Sequence, residues 1–387
     1  LYLNDGKGHF TLAKDAIPTG VSTIAGCVSI GDFDGDGQPD IFIGGRVSQR
    51  YPLPPRSYIL RNDKGRFTDV TTAVCPAIAR AGMITSAKWA DFDNDKQTDL
   101  VIAGEWMPIR FFKNDHGHLY EVTDSTGLTD NNGLWRSLAV ADVDGDGDLD
   151  LIAGNLGSNN DYQADEQQPM ELFATDLDHN GSIDPVLCYY SKDEDGIKRS
   201  YPAAGRNELA QQVPLMAKRF PLYRDYAQAT FSDIYQAAPG DSLLHFVCNE
   251  TRSCWFENLG HGKFKKHVLP VEAQFAPVNA IVCADLDHDG VLDLLLAGNE
   301  YQANVMRGRY DASYGCFLKG TAAGRSHAPP PPSHFTYIPG SSIGLRLLGD
   351  IKSMALIPRA GRQTLLLAAA NDDSLRVFKI KRAYDRP

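Results

Sequence analysis

Five short aspartate ladders, each running straight into an apolar segment, constrain this chain more than any other feature. They are Asp32-Phe-Asp34-Gly-Asp36-Gly-Gln38-Pro-Asp40, Asp91-Phe-Asp93-Asn-Asp95-Lys-Gln97-Thr-Asp99, Asp142-Val-Asp144-Gly-Asp146-Gly-Asp148-Leu-Asp150, Asp176-Leu-Asp178-His-Asn180-Gly-Ser182-Ile-Asp184 and Asp285-Leu-Asp287-His-Asp289-Gly-Val291-Leu-Asp293. Side-chain oxygens at positions 1, 3, 5 and 9, with a backbone carbonyl at position 7, are what a hard cation such as Ca²⁺ needs. Glycine at position 6 permits the sharp turn in four copies (Gly37, Gly147, Gly181, Gly290), whereas the second has Lys96. For a single copy an acidic surface turn is the rival, and weaker, reading. Five copies in one register weaken it further, so five Ca²⁺ sites are expected, built from these residues.

The EF-hand is the obvious rival, because its loop also spaces carboxylates in this way. That loop requires a bidentate Glu at position 12 and flanking helices. Position 12 is Ile43, Ile102, Ala153, Leu187 and Leu296, and four of the flanks are short apolar runs ended by glycine, such as Ile-Phe-Ile-Gly-Gly and Leu-Val-Ile-Ala-Gly. These are buried-strand signatures. The unit is strand, cation loop, strand.

The ladders also explain the charge. They hold twenty carboxylates against a net charge of −11, so the remainder of the 387-residue chain is net positive. Five divalent cations would nearly neutralise the whole. The acidity therefore says little about a basic partner, and no phosphate-reading basic stripe points to nucleic acid. No apolar run reaches the ~18 residues of a membrane span. Leu1-Tyr-Leu-Asn4 reads as mid-strand, as in a fragment or a mature product. Among seven cysteines, Cys248 and Cys254 flank Asn-Glu-Thr-Arg-Ser at a hairpin-like end, leaving a cross-hairpin disulfide and two free thiols both open. Loops of this kind rely on millimolar calcium, which favours an extracytoplasmic address.

A second motif follows the ladders: Asn4-Asp-Gly-Lys-Gly-His-Phe10, Asn62-Asp-Lys-Gly-Arg-Phe67, Asn114-Asp-His-Gly-His-Leu119 and Asn258-Leu-Gly-His-Gly-Lys-Phe264. Asn and Gly supply the positive φ of tight hairpins. Each repeat then reads strand a, cation loop, strand b, longer loop, strand c, Asn-Gly turn, strand d. Four antiparallel strands recurring in this way predict an all-β fold, a β-propeller. Blades are expected at 26–70, 84–122, 135–174, 171–268 and 277–337, with a ladder-free one at 345–380. Residues 1–14 read as outer strands that close the ring with 345–380, in a single domain of seven blades, or six. Apolar residues at helical spacing, broken by Pro214 and Pro221, predict two or three short helices over 205–237. Pro329 to Pro332 predict an extended, exposed loop.

The ladder-plus-strand unit resembles FG-GAP/VCBS repeats, the calcium-loop propeller repeats also found in integrin α-subunits. Longer motifs extend the likeness over nearly the whole chain: Gly104-Glu-Trp106-Met-Pro, Gly154-Asn-Leu-Gly-Ser-Asn159, the segment from Arg206-Asn-Glu-Leu to Phe231-Ser-Asp-Ile, Glu272-Ala-Gln-Phe-Ala-Pro277 and Arg309-Tyr-Asp-Ala-Ser-Tyr-Gly315. These resemble bacterial VCBS-repeat proteins related to the ASPIC/UnbV group. The resemblance implies a secreted or surface-anchored propeller, often a lipoprotein of the outer membrane. The chain departs from the pattern at Lys96, at His179 and His288, and in its proline run.

Strand alternation puts the cation loops and Asn-Gly turns on one face of a propeller and the b–c loops on the other. Loops on a rigid scaffold are where function usually sits. The b–c loops supply Glu105, Trp106, Asn155, Asn159, Glu300, Tyr301, Arg309 and Tyr310, which form the candidate ligand face. The expectation is a non-catalytic binding or scaffold module for a surface protein or a glycan, since aromatic platforms suit sugars and a broad face suits proteins. The alternative is a calcium-dependent polysaccharide hydrolase or lyase, for which Glu105 and Glu300 are the carboxylates to follow. No Ser-His-Asp order, nucleophile elbow or HExxH supports a catalytic residue.

Overall fold

The structure is a computed structural model that describes residues 1–128, 131–236, 242–303, 308–321, 334–359 and 362–380. Five sheets repeat one antiparallel plan, four of them with strands in the spatial order a-b-c-d and the last with a-b-c, and Gly133–Leu134 adds a short fifth strand to strand b of the second. Blade 1 comprises Ile24–Gly31, Asp40–Val47, Tyr58–Asp63 and Arg66–Asp69. Blade 2 comprises Met83–Ala90, Asp99–Met107, Arg110–Asp115 and His118–Glu121. Blade 3 comprises Ser137–Ala141, Asp150–Gly154, Cys254–Asn258 and Phe264–Val268. Blade 4 comprises Val278–Ala284, Asp293–Gly298, Cys316–Gly320 and Phe335–Ile338. Blade 5 has three strands, Ile351–Arg359, Arg362–Ala370 and Arg376–Lys379. The a strands pack on one another in blade order. This radial succession is the β-propeller that the repeats predict.

Packing explains why the b strands are apolar without alternation. Leu100 and Ile102 face the core shared with blade 1, whereas Val101 and Ala103 face the core shared with blade 3. A strand buried on both sides needs apolar residues at every position. Each fully buried Leu, Ile or Phe contributes about 1.5–3 kcal/mol. The glycine that ends the strand marks a close approach. A Cβ on Gly154 would lie 2.3 Å from the carbonyl oxygen of Val278, on the inner strand of the next blade.

The fourth ladder lies outside this succession, which corrects the expected blade boundaries. Strand b of blade 3 pairs directly with strand c across Leu151–Phe256 and Ile152–Trp255. Residues 155–253 are therefore one long insertion between them. The insertion carries its own sheet of Met170–Thr175, Asp184–Lys192, Lys198–Pro202 and Leu244–Cys248. Met170–Thr175 and Asp184–Lys192 are central there, with Lys198–Pro202 and Leu244–Cys248 at the edges. Neither ladder strand is thus free to line an axis. Trp255 and Phe256 go to the ring because their large side chains complete the cores on either side of blade 3.

Residues 1–14 differ as well. Tyr2–Asn4 and Phe10–Leu12 pair only with each other, and no pairing with 345–380 occurs among the described residues. All six strand residues are exposed, so this hairpin has no buried face with which to close a ring. The seven-bladed expectation thus resolves into five successive blades, one hairpin and one inserted sheet. The helical segment contains four short helices rather than two or three: Arg206–Gln212, Leu215–Arg219, Tyr223–Ala227 and Phe231–Ile234. Leu209, Val213, Met216 and Phe231 pack with Val186 and Cys188 of the inserted sheet. Pro329 to Pro332 lie outside the described residues.

Cys248 and Cys254 are free and buried. They sit on strands of two different sheets, not across a hairpin. Each thiol faces a backbone carbonyl, of Glu250 and Arg252 respectively, and burial raises both pKa values, to about 12 for Cys248.

Candidate metal ladders and the opposite face

All five ladders fold into one turn. The position-1 carboxylate accepts the backbone N–H of position 6, from Gly37 (2.9 Å), Lys96 (2.8 Å), Gly147 (3.0 Å), Gly181 (2.7 Å) and Gly290 (3.1 Å). Lys96 reaches this geometry with a left-handed φ of 70°. Position 4 is left-handed too, with φ values of 61°, 59° and 64° for Asn94, His179 and His288, where the first and third ladders have Gly35 and Gly145. The sequence reading credited only position 6. A left-handed non-glycine residue carries strain of order 1 kcal/mol. Lys96→Gly should therefore raise stability by about 1 kcal/mol in chemical denaturation, and a loss of stability would contradict this reading of the turn.

The carboxylates converge. Single oxygens of Asp32, Asp34 and Asp36 lie within 4.8 Å of one another, as do those of Asp142, Asp144 and Asp146, and of Asp285, Asp287 and Asp289. In the second and fourth ladders the converging sets are Asp91, Asp93 and Asp99, and Asp176, Asp178 and Asp184. These are hard oxygen donors at a spacing that suits Ca²⁺. Asp178 offers a sharper indication, because its Oδ1 is buried without a hydrogen-bond partner.

Position 9 does a second job. Asp40, Asp99, Asp150, Asp184 and Asp293 are all buried. In blade 3, Asp150 accepts the N–H of Val143 (3.0 Å) from its own ladder and that of Asn258 (2.8 Å) from strand c. Asp40, Asp99 and Asp293 do the same with Asn62, Asn114 and Gly320. The Asn that opens the c–d turn then ties blades together. Asn114 donates to the carbonyls of Thr98 and of Phe33 in blade 1, and Asn258 to those of Leu149 and of Phe92 in blade 2. Burial pushes the Asp99 and Asp150 carboxyls up to about 7, against the opposing pull of those N–H groups. At position 7 the Gln side chains reach the neighbouring turn, and Gln38 also donates to Asp36 of its own ladder at 3.1 Å. Gln38 and Gln97 accept the N–H of Lys64 and His116 in the c–d turn, each at 2.6 Å.

Two ladders carry a cation of their own. The Lys113 ammonium sits between Asp93 and Asp95 (2.6 Å to the latter), and that of Lys319 between Asp287 and Asp289 (2.7 Å to the latter). Both lysines are held above the ordinary range by these carboxylates. The third ladder shows the opposite arrangement. Burial first, then Asp146, Asp142 and Glu257 on strand c raise the pKa of Asp144.

At the other end of the blades the structure gathers most of the candidate ligand residues. Arg46 pairs with Glu105 at 2.8 Å, and the Arg136 guanidinium lies 3.7 Å from both Glu105 and Glu300. Lys352 pairs with Glu300 at 3.4 Å and with Asp350 at 2.8 Å. Trp106 donates its indole N–H to the Tyr51 hydroxyl at 3.2 Å, and burial pushes Tyr51 up to about 12. Arg309 stacks over the Tyr301 ring at 4.9 Å, and Glu300 bridges to Tyr310 through the backbone. Asn155 is different: it is buried, donates to the carbonyls of Glu250 and Arg252, and accepts the N–H of Leu134. It fastens the insertion to blade 3 and is unavailable to a ligand. Asn159 donates to the Phe275 carbonyl. Tyr51 and Arg136 were missed from sequence, since neither belongs to a repeat motif.

The profile of the FG-GAP-like repeat matches residues 1–43 and 91–153. The first stretch covers the hairpin through ladder 1, and the second runs from ladder 2 to the end of strand b in blade 3. Cartilage acidic protein 1 from Xenopus tropicalis is 28% identical over 164 residues, covering 39% of this chain and 24% of that protein. The Homo sapiens protein of the same name is 27% identical over 159 residues, covering 35% and 23%. The chain thus spans about a quarter of the length of these curated relatives. Among solved structures, the V. cholerae biofilm matrix protein Bap1 aligns over 92% of this chain and 69% of its own, at 10% identity and a TM-score of 0.32. The chain carries FG-GAP-like repeats and has distant similarity to cartilage acidic protein 1.

Proposed function

We propose that this chain is a calcium-stabilised propeller working outside the cytoplasm as a non-catalytic binding module for a surface protein or a glycan. One observation carries the reading. The cation ladders occupy one end of a rigid frame, while Trp106 with Tyr51 and Tyr301 with Arg309 stand at the other end around a shared ionic network. Calcium would be held by positions 1, 3 and 5 of the first and third ladders and by positions 1, 3 and 9 of the fourth, and would offset the repulsion of their carboxylates. Ladders 1, 3 and 4 lack an inserted lysine and depend on it most. The extracytoplasmic address rests on the calcium concentration such loops need. Attachment to an outer-membrane surface, through a lipid anchor or a partner complex, belongs to the same proposal. No helix among the described residues is long and apolar enough to cross a membrane. Nucleic acid is not a proposed partner.

The polysaccharide hydrolase or lyase alternative needs two carboxylates at liberty. Glu105 and Glu300 are instead engaged by Arg46 and Lys352 respectively, which favours a binding role. A glycan array probed with the full chain and with a Trp106→Ala/Tyr301→Ala variant tests the reading. Loss of the array signal at unchanged circular dichroism is expected. An identical array profile from a folded variant would count against this face.

A further inference from the structure

We infer that the axial cavity of the propeller binds a small carboxylate-bearing ligand, of the kind an acidic sugar presents, through Lys88 and Arg136. This rests on the binding-face reading above and names the chemistry which that face selects.

The inner strands of all five blades converge on a cavity of ≈ 530 Å³. Gly26, Ser86, Ser137 and Ser353 are among its lining residues. Its charged groups fall into two sets. Around the b–c end, the lining residues Arg46, Arg136 and Lys352 meet Glu300, which also lines the cavity, and Glu105 and Asp350 just behind it, three cations against three anions. Lys88 also lines the cavity, on strand a of blade 2 and two residues before its ladder-side end. Its ammonium has no hydrogen bond or ion pair among the described residues. The cavity therefore holds one cation in excess. Arg136 is under-used as well, since both its carboxylate contacts are 3.7 Å and its buried Nε has no partner.

The half-buried Lys88 thus lines the cavity without an acceptor, and the Arg136 guanidinium in the same lining carries one buried N–H that is also unmatched. Burying a donor with no acceptor costs free energy that a matching ligand recovers. A carboxylate supplies two oxygens and one negative charge, which matches an ammonium, a guanidinium N–H and one surplus cation. The remaining lining includes Ser86, Ser137 and Ser353, and Asn279, whose amide N–H groups are held by the Asn299 and Ile351 carbonyls and whose oxygen is left to accept from a sugar hydroxyl. A neutral sugar would leave Lys88 unmatched, so charge decides selectivity.

Isothermal titration calorimetry of the full chain with ~1 mM Ca²⁺ at fixed ionic strength tests this. The probes are a galacturonate trisaccharide, its methyl-esterified neutral form and inorganic phosphate. The acidic trisaccharide should bind at least tenfold more tightly than the ester. Lys88→Gln should abolish that preference, and Lys88→Arg should restore it, with melting temperatures unchanged. Equal affinities for acid and ester, or a preference that survives Lys88→Gln, would overturn the inference while leaving the Trp106 and Tyr301 face standing. Phosphate binding as tightly as the trisaccharide would overturn the sugar assignment. No binding of either anion would overturn the site altogether.

Discussion

Asp150→Ala is expected to cost about 3–5 kcal/mol in folding free energy, more than most single surface changes. The carboxylate is buried and accepts two backbone N–H groups, from Val143 and Asn258. Truncation leaves both donors buried without partners, at roughly 1–3 kcal/mol each, and opens a void. The damage also spreads, because the Asn258 side chain then loses its fixed position against the Phe92 carbonyl of blade 2. Urea denaturation of wild type and variant gives the difference. A loss under about 1 kcal/mol would show that this residue is merely a cation ligand and does not clip strands.

Removing the divalent cation should lower the melting temperature by about 5 °C at neutral pH. A site with a Kd of ~10⁻⁴ M contributes about 1.4 kcal/mol at ~1 mM Ca²⁺ through linkage. Three ladders without a lysine give about 4 kcal/mol. At roughly 2 cal/mol/K of unfolding entropy per residue, that becomes the stated shift. The pH dependence has a definite sign. In the cation-free protein, burial raises Asp150 of the lysine-free third ladder from the ordinary 3.8 to about 7. The stability that protonation confers is complete below about 4 and disappears as pH rises through about 7. Calcium offsets the ionised form, so the gap between calcium-loaded and chelated samples should widen from pH 5.5 to pH 8. Differential scanning calorimetry measures it. A gap that narrows with rising pH, or a shift under 1 °C at every pH, would contradict the assignment.

Legibility from sequence followed the repeats closely. The ladders, the Asn-Gly turns and the b strands ended by glycine each encode a local geometry, and each is where the spacing placed it. The fourth ladder misled for a physical reason. Its turn is locally the same as the others, and nothing in Asp176 to Asp184 reports whether its strands join the ring or a separate sheet. That choice is made some seventy residues later, by Trp255 and Phe256 filling the cores beside blade 3. The face residues were partly legible. Glu105, Trp106, Glu300 and Tyr301 follow the glycines Gly104 and Gly298 at the far end of strand b and could be placed by alternation. Asn155 occupies the same kind of position, yet it is buried by the insertion, which alternation cannot foresee. Lys113 and Lys319 were also invisible as ladder residues, because each reaches its carboxylates from strand c, 18 to 32 positions along the chain.

The most direct test of cation-clipped blades is anomalous diffraction from crystals grown with ~1 mM Ca²⁺. Peaks are predicted within the Asp32–Asp36, Asp142–Asp146 and Asp176–Asp184 ladders, each ringed by carboxylate oxygens at roughly 2.3–2.6 Å. A map with no cation in any of these three ladders would contradict the account.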